Sequence, residues 1–391
     1  MTAPQARGVP GLVYLGAVVA SIGGPLALLA LYLPGAAGDA LKSAGLTVTL
    51  ALLVFLAPLA IWLGFSERVA SAGGLAAFVE AAAGRRLAVV QASIWIVSYF
   101  LYLPYTITYI TYDLLPPVFP GIVPYRGWLE VLLPVGIVLL ALAPLAISLA
   151  VLAVAAIAQM ALVAVLGVLL YRDSGASGSS FTSHVGAAPL GRGVGAVALL
   201  FFCISLPLFF GSEVRGSRPT IRRGLAGGYG IVAVFLLFAV VPLAAVVEYI
   251  AGADLPGVAI AQAESGRPLA VAVVIVSAAS VAGLIVLELL ALVRLLHWLT
   301  GAAIRPLVAV VAVPFVVADA LSLIDPERFY DDLIRPSLVA LFASQLIVFL
   351  VYPLYRRRDA GRLPAAVAVS AVASTLVGYG LYTAITGSLG T

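Results

Sequence analysis

Two long apolar segments, about half the chain apart, are each interrupted by residues that a continuous helix tolerates poorly. The first interruption is Ser21-Ile22-Gly23-Gly24-Pro25, inside a run from Gly11 to Leu33. The second is Cys203-Ile204-Ser205-Leu206-Pro207, inside a run from Val194 to Gly211. Runs of this kind suit a bilayer core about 30 Å thick, which needs about 20 apolar residues per helix. A backbone unwound at that depth leaves N–H and C=O groups unpaired, at several kcal/mol each, unless a cavity, water or a ligand satisfies them. Interrupted spans at corresponding places in two halves are the sequence sign of inverted-repeat secondary transporters, which bind their solute at the interruptions.

Composition fixes the environment. Of 391 residues, 63% are hydrophobic and only 10% charged, against about 25% charged in a soluble domain. The apolar runs are continuous rather than alternating, which excludes a barrel. The expected fold is an all-α integral membrane protein, one transmembrane domain over residues 1–391 with about eleven helices. These fall near 11–36, 42–65, 87–115, 128–147, 149–171, 193–214, 225–249, 269–298, 305–322, 333–355 and 364–387. The last has no mate, so the reading is a five-plus-five inverted repeat with the first and sixth helices broken. Residues 11–172 form the first repeat, 193–358 the second, and 364–387 an additional C-terminal helix.

Charge gives orientation and narrows the function. Placing the amino terminus in the cytoplasm puts Arg7, Arg68, Arg85, Arg86, the cluster from Arg215 to Arg223, Arg294, Arg305 and the cluster from Arg356 to Arg362 inside. Lys42, Arg126, Arg172, Arg192, Arg267, Arg328 and Arg335 remain outside, fewer in number, as the positive-inside rule requires of a multi-pass plasma-membrane protein. These charges sit in short loops, so the pI near 9.2 does not indicate nucleic-acid binding. One cysteine, Cys203, and two histidines, His184 and His297, exclude a disulfide and a multi-histidine metal site. No nucleophile–base set or phosphate-binding glycine loop is present, so neither an enzyme nor a cofactor is expected. The excess of Ala, Val, Leu and Arg over Lys points to a prokaryotic source.

Specific residues carry a family resemblance. The segment from Phe65, FSERVASAGGLAAFVEAAAGRR, is similar to a cytoplasmic connection of the amino acid-polyamine-organocation (APC) transporter superfamily, through Glu67, Gly73, Gly74 and Gly84. The run GSEVRGSRPTIRRGL resembles the signature after the family's sixth helix, through Glu213, Arg215, Pro219 and Arg222. The stretch RLLHWLTG, from Arg294 to Gly301, is similar to the close of the eighth helix, and the first break stands where the family has its Gly-rich break. The resemblance implies a leucine-transporter-type fold working by alternating access as a monomer or homodimer.

The site expected from the breaks is an amino acid receptor. Half-helix N–H groups suit a carboxylate and freed carbonyls suit an ammonium or cation. The candidates are Ser21, Ile22, Gly23 and Gly24 at the first break and Phe202, Cys203, Ile204 and Ser205 at the second, with Gly23 and Gly24 for the carboxylate and Ile204 and Ser205 for the amino group. On the third span Tyr99, Tyr102, Tyr105 and Tyr109 recur at helical spacing; packing or an interfacial belt accounts for most, with Tyr102 the one assigned to the pocket. No buried acidic residue is expected near either break, so a neutral amino acid, or a similar small amine or carboxylate solute, is the expected substrate. Coupling turns on Glu288, a carboxyl inside the eighth span that could take up and release a proton; sodium held by Ser277 and Ser280 is the alternative. The expected function is proton-coupled amino acid import, with an exchanger, or a receptor or channel, as the other classes.

Overall fold

In a computed structural model, residues 8–174, 178–246, 253, 255–357 and 359–387 are described. Arg7, Arg358 and residues 247–249 of the expected seventh span lie outside them. Among the described residues, ten helical stretches are long and apolar enough to cross a membrane. The first, Gly11–Phe65, has 55 residues, about 80 Å if straight, and is two crossings joined at Gly38, whose φ is +51°. Eleven crossings result. Span 1 covers residues 11–37 and span 2 Ala44–Phe65. Spans 3 to 6 are Arg85–Leu114, Pro120–Leu142, Leu145–Arg172 and Ala187–Phe210. Spans 7 to 11 are Ser217–Val246, Arg267–Thr300, Ile304–Ser322, Pro326–Arg356 and Leu363–Thr386. A short helix, Gly74–Ala83, lies between spans 2 and 3, and another, Pro256–Ser265, between spans 7 and 8.

The two chain ends stand on opposite faces, as an odd number of crossings requires. At one face, Val9 N–H donates to the Glu213 carbonyl (2.9 Å) and the Arg215 N–H donates to the Val9 carbonyl (3.0 Å). At the other, the Tyr379 hydroxyl near the end of span 11 donates to the Arg192 carbonyl (3.3 Å).

Spans 4, 6 and 7 begin six to eight residues earlier than the sequence reading, at Pro120, Ala187 and Ser217. Three other differences have a local reason. Spans 4 and 5 meet at Ala143–Pro144 rather than at 146–149, because a residue before proline is driven out of the helical region; Ala143 has ψ 160°. Span 10 begins at Pro326, earlier than 333, because the Asp325 side chain accepts the Arg328 N–H and Pro326 fills the first helical position. The second interruption falls at Leu200 and Phe201, ahead of Cys203. From Phe202 to Phe210 the chain continues as a 3-10 helix through Pro207 instead of unwinding there.

The first interruption is where the sequence places it. The helix Gly11–Ser21 ends, Gly23 and Gly24 both adopt φ +59°, and the chain resumes at Pro25. Beyond it, Leu28–Tyr32 is wound as a π-helix, and span 3 carries a matching π turn at Ile110–Leu114. Such widened turns re-aim side chains and collect at functional sites.

Candidate functional site

The two interruptions meet. A Cβ added to Gly23 would lie 3.4 Å from the Leu200 carbonyl oxygen, so the backbones of the broken spans touch at mid-depth. Beside them is a cavity of about 180 Å³, room for about six waters. Its wall includes Gly23, Tyr99, Tyr102, Phe202, Cys203 and Glu288. It shares Tyr32, Leu199, Leu200, Leu338 and Phe342 with a larger vestibule of about 480 Å³. The vestibule also carries Asp39, Arg192 and Tyr379, on the face of the molecule opposite Val9.

Backbone groups at the breaks are left available. The Gly23 N–H is spent within its own turn on Ser21 O (2.8 Å), while Ser21 Oγ donates to Val18 O (2.7 Å). At the second break, the N–H groups of Phe202 and Cys203 open the 3-10 helix and donate to no backbone carbonyl, and the Leu199 and Leu200 carbonyls accept no backbone N–H. These are the orphan groups that any helix end must satisfy.

Of the expected site residues, Gly23, Tyr102, Phe202, Cys203 and Glu288 come together in the cavity wall. Ser21, Ile22, Gly24, Ile204 and Ser205 are fully or almost fully buried and line neither this cavity nor the vestibule. Ser205 turns toward span 10, where Gln345 Nε2 approaches its hydroxyl at 3.4 Å. Tyr99 and Tyr105 join Tyr102 on the cavity wall, which packing or an interfacial belt had not required, while the Tyr109 ring stacks near Tyr32 at 6.0 Å. Phe201 packs instead against Phe55 and Tyr229.

The expectation that no acid stands near a break is corrected. Glu288 is far from both in sequence, yet the fold brings it to the cavity with Gly23 and Cys203. It is fully buried, and neither carboxyl oxygen has a hydrogen-bond partner. Arg294, six residues on, turns away to pair with Glu213 (2.6 Å).

Ser277 and Ser280 precede Glu288 on the same helix and line neither the cavity nor the vestibule. The Ser280 hydroxyl donates to Gln159 Oε1 of span 5 (2.7 Å), and both side chains press on Gly24, where an added Cβ would meet Ser280 Oγ at 1.7 Å. Two further acids are buried, Glu130 of span 4, which escaped the sequence reading, and Asp319 of span 9. Neither carboxyl oxygen of Asp319 has a hydrogen-bond partner among the described residues. Thr111, in the π turn of span 3, donates to Glu130. The sign was a lone Glu130 inside an apolar run, masked by its closeness to the start of the span.

The face opposite the vestibule is shut. The Tyr14 hydroxyl donates to Pro207 O (3.3 Å), and Trp95 stacks between Tyr99 (4.2 Å) and Phe209 (4.5 Å). Beneath lies an ionic layer. Glu67 takes Arg356 (2.7 Å), Arg362 (3.4 Å) and Arg222 (3.6 Å), while Asp359 takes Arg68 (3.0 Å) and Arg356 (3.2 Å). The Glu67, Arg222, Glu213 and Arg294 singled out by the resemblance all belong to this layer.

Eleven crossings with spans 1 and 6 broken face to face match known structures along nearly the full chain. A structure described as MhsT in complex with L-phenylalanine superposes with a TM-score of 0.68 at 14% identity, over 95% of this chain and 98% of that one. The chain has the leucine-transporter-type fold. A Na+-coupled sialic acid symporter in a substrate-bound outward-open state shares this fold with a TM-score of 0.57 at 14% identity, covering 97% of this chain and 90% of that one. The manganese transporter of Eremococcus coleocola shares it with a TM-score of 0.63 at 11% identity, covering 97% and 88%. No protein-family model and no characterised protein matches the chain by sequence.

Proposed function

We propose that this protein is a secondary transporter of the plasma membrane that imports a neutral amino acid with a proton by alternating access. The observation that carries the reading is the cavity between the two breaks, reached from one face and sealed from the other. Residues 11–172 and 193–358 serve as its two inverted repeats, with 364–387 appended. The sealed face carries the arginine layer and is assigned to the cytoplasm by charge, so the vestibule faces out and the amino terminus in.

A neutral amino acid suits the wall. Aromatic and aliphatic side chains enclose most of the space, no Lys, Arg or His lines it, and the Leu199 and Leu200 carbonyls offer acceptors for an ammonium group. A proton is favoured over sodium by position: Glu288 lines the cavity with both oxygens unengaged, whereas Ser280 is engaged with Gln159 and Ser277, though unengaged, lines neither the cavity nor the vestibule. A manganese substrate finds little support, since no cluster of three His, Cys, Asp or Glu stands among the described residues.

The test is uptake of radiolabelled L-leucine and L-phenylalanine into proteoliposomes. Accumulation driven by an inward proton gradient, indifferent to sodium and abolished in Glu288→Gln, is the expected result. Uptake that requires internal substrate and ignores the gradient would establish an exchanger instead, and a substrate-independent ionic current a channel.

A further inference from the structure

Among the described residues the cavity contains one carboxyl and no basic side chain, yet an amino acid brings a carboxylate that needs donors. Around the wall few donors are free. The Ser337 hydroxyl is committed to Ser98 O (2.9 Å). The first-break Gly23 N–H is committed to Ser21. What remains near Glu288 is the Tyr99 hydroxyl, which has no hydrogen-bond partner among the described residues, and the opening of the 3-10 helix, where the N–H groups of Phe202 and Cys203 find no backbone acceptor among them. An ionised carboxylate held there without a partner is unfavourable. The neutral acid is accommodated, and a neutral acid is a donor.

We infer that Glu288 touches the substrate itself, donating its carboxyl proton to the substrate carboxylate beside the Phe202 and Cys203 N–H groups. This rests on the transport reading and supplies its coupling. With the proton in place the two acids share one hydrogen bond. Without it, two anions would face each other in a poorly hydrated space, and the substrate is refused. Proton and amino acid therefore enter together and leave together in a ratio of one to one. The ammonium end lies toward Leu199, Leu200 and Gly23, and the side chain toward the tyrosines.

The groups around Glu288 do not offer a competing explanation of pH dependence. Span 3 presents Tyr99, Tyr102 and Tyr105, span 6 Cys203, and span 1 Tyr32, all of which hold their protons near neutral pH. From span 10, among the described residues, only Ser337 and apolar groups reach the wall. Glu130 and Asp319, on spans 4 and 9, and Asp113 of span 3 do not line it, and Arg294 is engaged with Glu213.

The experiment is equilibrium binding to the purified full chain, by thermal shift and calorimetry, between pH 5 and pH 8. Its probes are L-leucine and L-phenylalanine and their decarboxylated counterparts, isoamylamine and phenethylamine. The wild type should bind the amino acids more tightly as pH falls, approaching tenfold per pH unit where the empty site is deprotonated. Glu288→Gln, whose amide still donates, should bind them with an affinity flat in pH while losing proton-driven accumulation. The amines should bind weakly. Glu288→Asp, which keeps the titration, should retain the pH slope at reduced affinity and covers the case of a poorly folded Gln variant. A pH slope that survives in Glu288→Gln would overturn the inference while leaving transport intact. So would amines that bind more tightly as pH rises and are lost in Glu288→Gln, since Glu288 would then be an ammonium receptor. Absence of any binding by either class at any pH would instead overturn the amino acid reading beneath it.

Discussion

At Gly24 two requirements coincide. The backbone sits at φ +59°, and the space where a side chain would begin is already taken by Ser280 Oγ, 1.7 Å away. Gly24→Ala should therefore lower stability by about 3 kcal/mol, strain and overpacking together, measured as a fall in melting temperature in detergent. Adding Ser280→Gly should recover the steric part alone. A change of under about 0.5 kcal/mol would mean that the break relaxes freely. Asp359 offers a second residue-level expectation. Arg68 and Arg356 hold its carboxyl below the usual carboxylate range, Arg68 first. The folded protein thus binds this proton less readily than the unfolded chain. Its contribution is complete above the unfolded value near pH 4 and is lost only as pH falls through the lowered one. Melting temperatures of wild type and Asp359→Asn should differ by a constant amount from pH 8 to pH 5 and converge in stronger acid. Residues of this kind were unevenly legible. Gly-Gly-Pro announces its own backbone conformation, whereas Glu288 could be recognised as an anomaly in its helix but not as a neighbour of Cys203, because sequence distance hides what helix packing brings together.

Elements show the same divide. The first break was readable because glycine and proline punctuate it. The second was misplaced by about one turn because Pro207, the visible marker, is absorbed into a 3-10 helix, while the break falls at Leu200 and Phe201, beside Gly23, where no glycine or proline marks it. Helix length was readable from hydrophobic runs, and helix starts were less so, since Asp325-Pro326 caps span 10 outside its apolar run. Between elements, the link from Gln159 on span 5 to Ser280 on span 8 joins two helices across the first break. Gln159→Leu should lower stability by about 1 kcal/mol, because interhelical hydrogen bonds in membranes contribute about 0.6 and rarely exceed 1.7. If the pair instead held sodium, replacing sodium by choline would lower the wild-type melting temperature; no such shift is expected.

Across the whole molecule, the proposed transport reading makes the open vestibule and the ionic layer one of two states. Cys203, the sole thiol of the chain, lines the cavity and reports which side is open. A small, membrane-impermeant thiol reagent should label it from the face bearing Asp39 and Arg192, and bound amino acid should slow the reaction. Glu67 gathers three arginines, two of them well exposed, so each pair is modest and screened by salt, while Arg356, only 3% exposed, depends on it most. Glu67→Gln should loosen that face, slowing labelling from the vestibule side severalfold and permitting it from the opposite side. Unchanged labelling would place the seal in the aromatic layer at Trp95 and Phe209.

The pairing of Val9 with the stretch from Glu213 to Arg215 has a mechanical corollary. Two main-chain bonds fasten the entrance of span 1 to the exit of span 6, and Tyr14 rivets the same halves again through Pro207. The lower limbs of both discontinuous helices are thereby yoked into a single lever. On the proposed transport reading they must swing as a unit when the sealed face opens, or else the yoke must come undone first, and its undoing would then set the pace of the cycle.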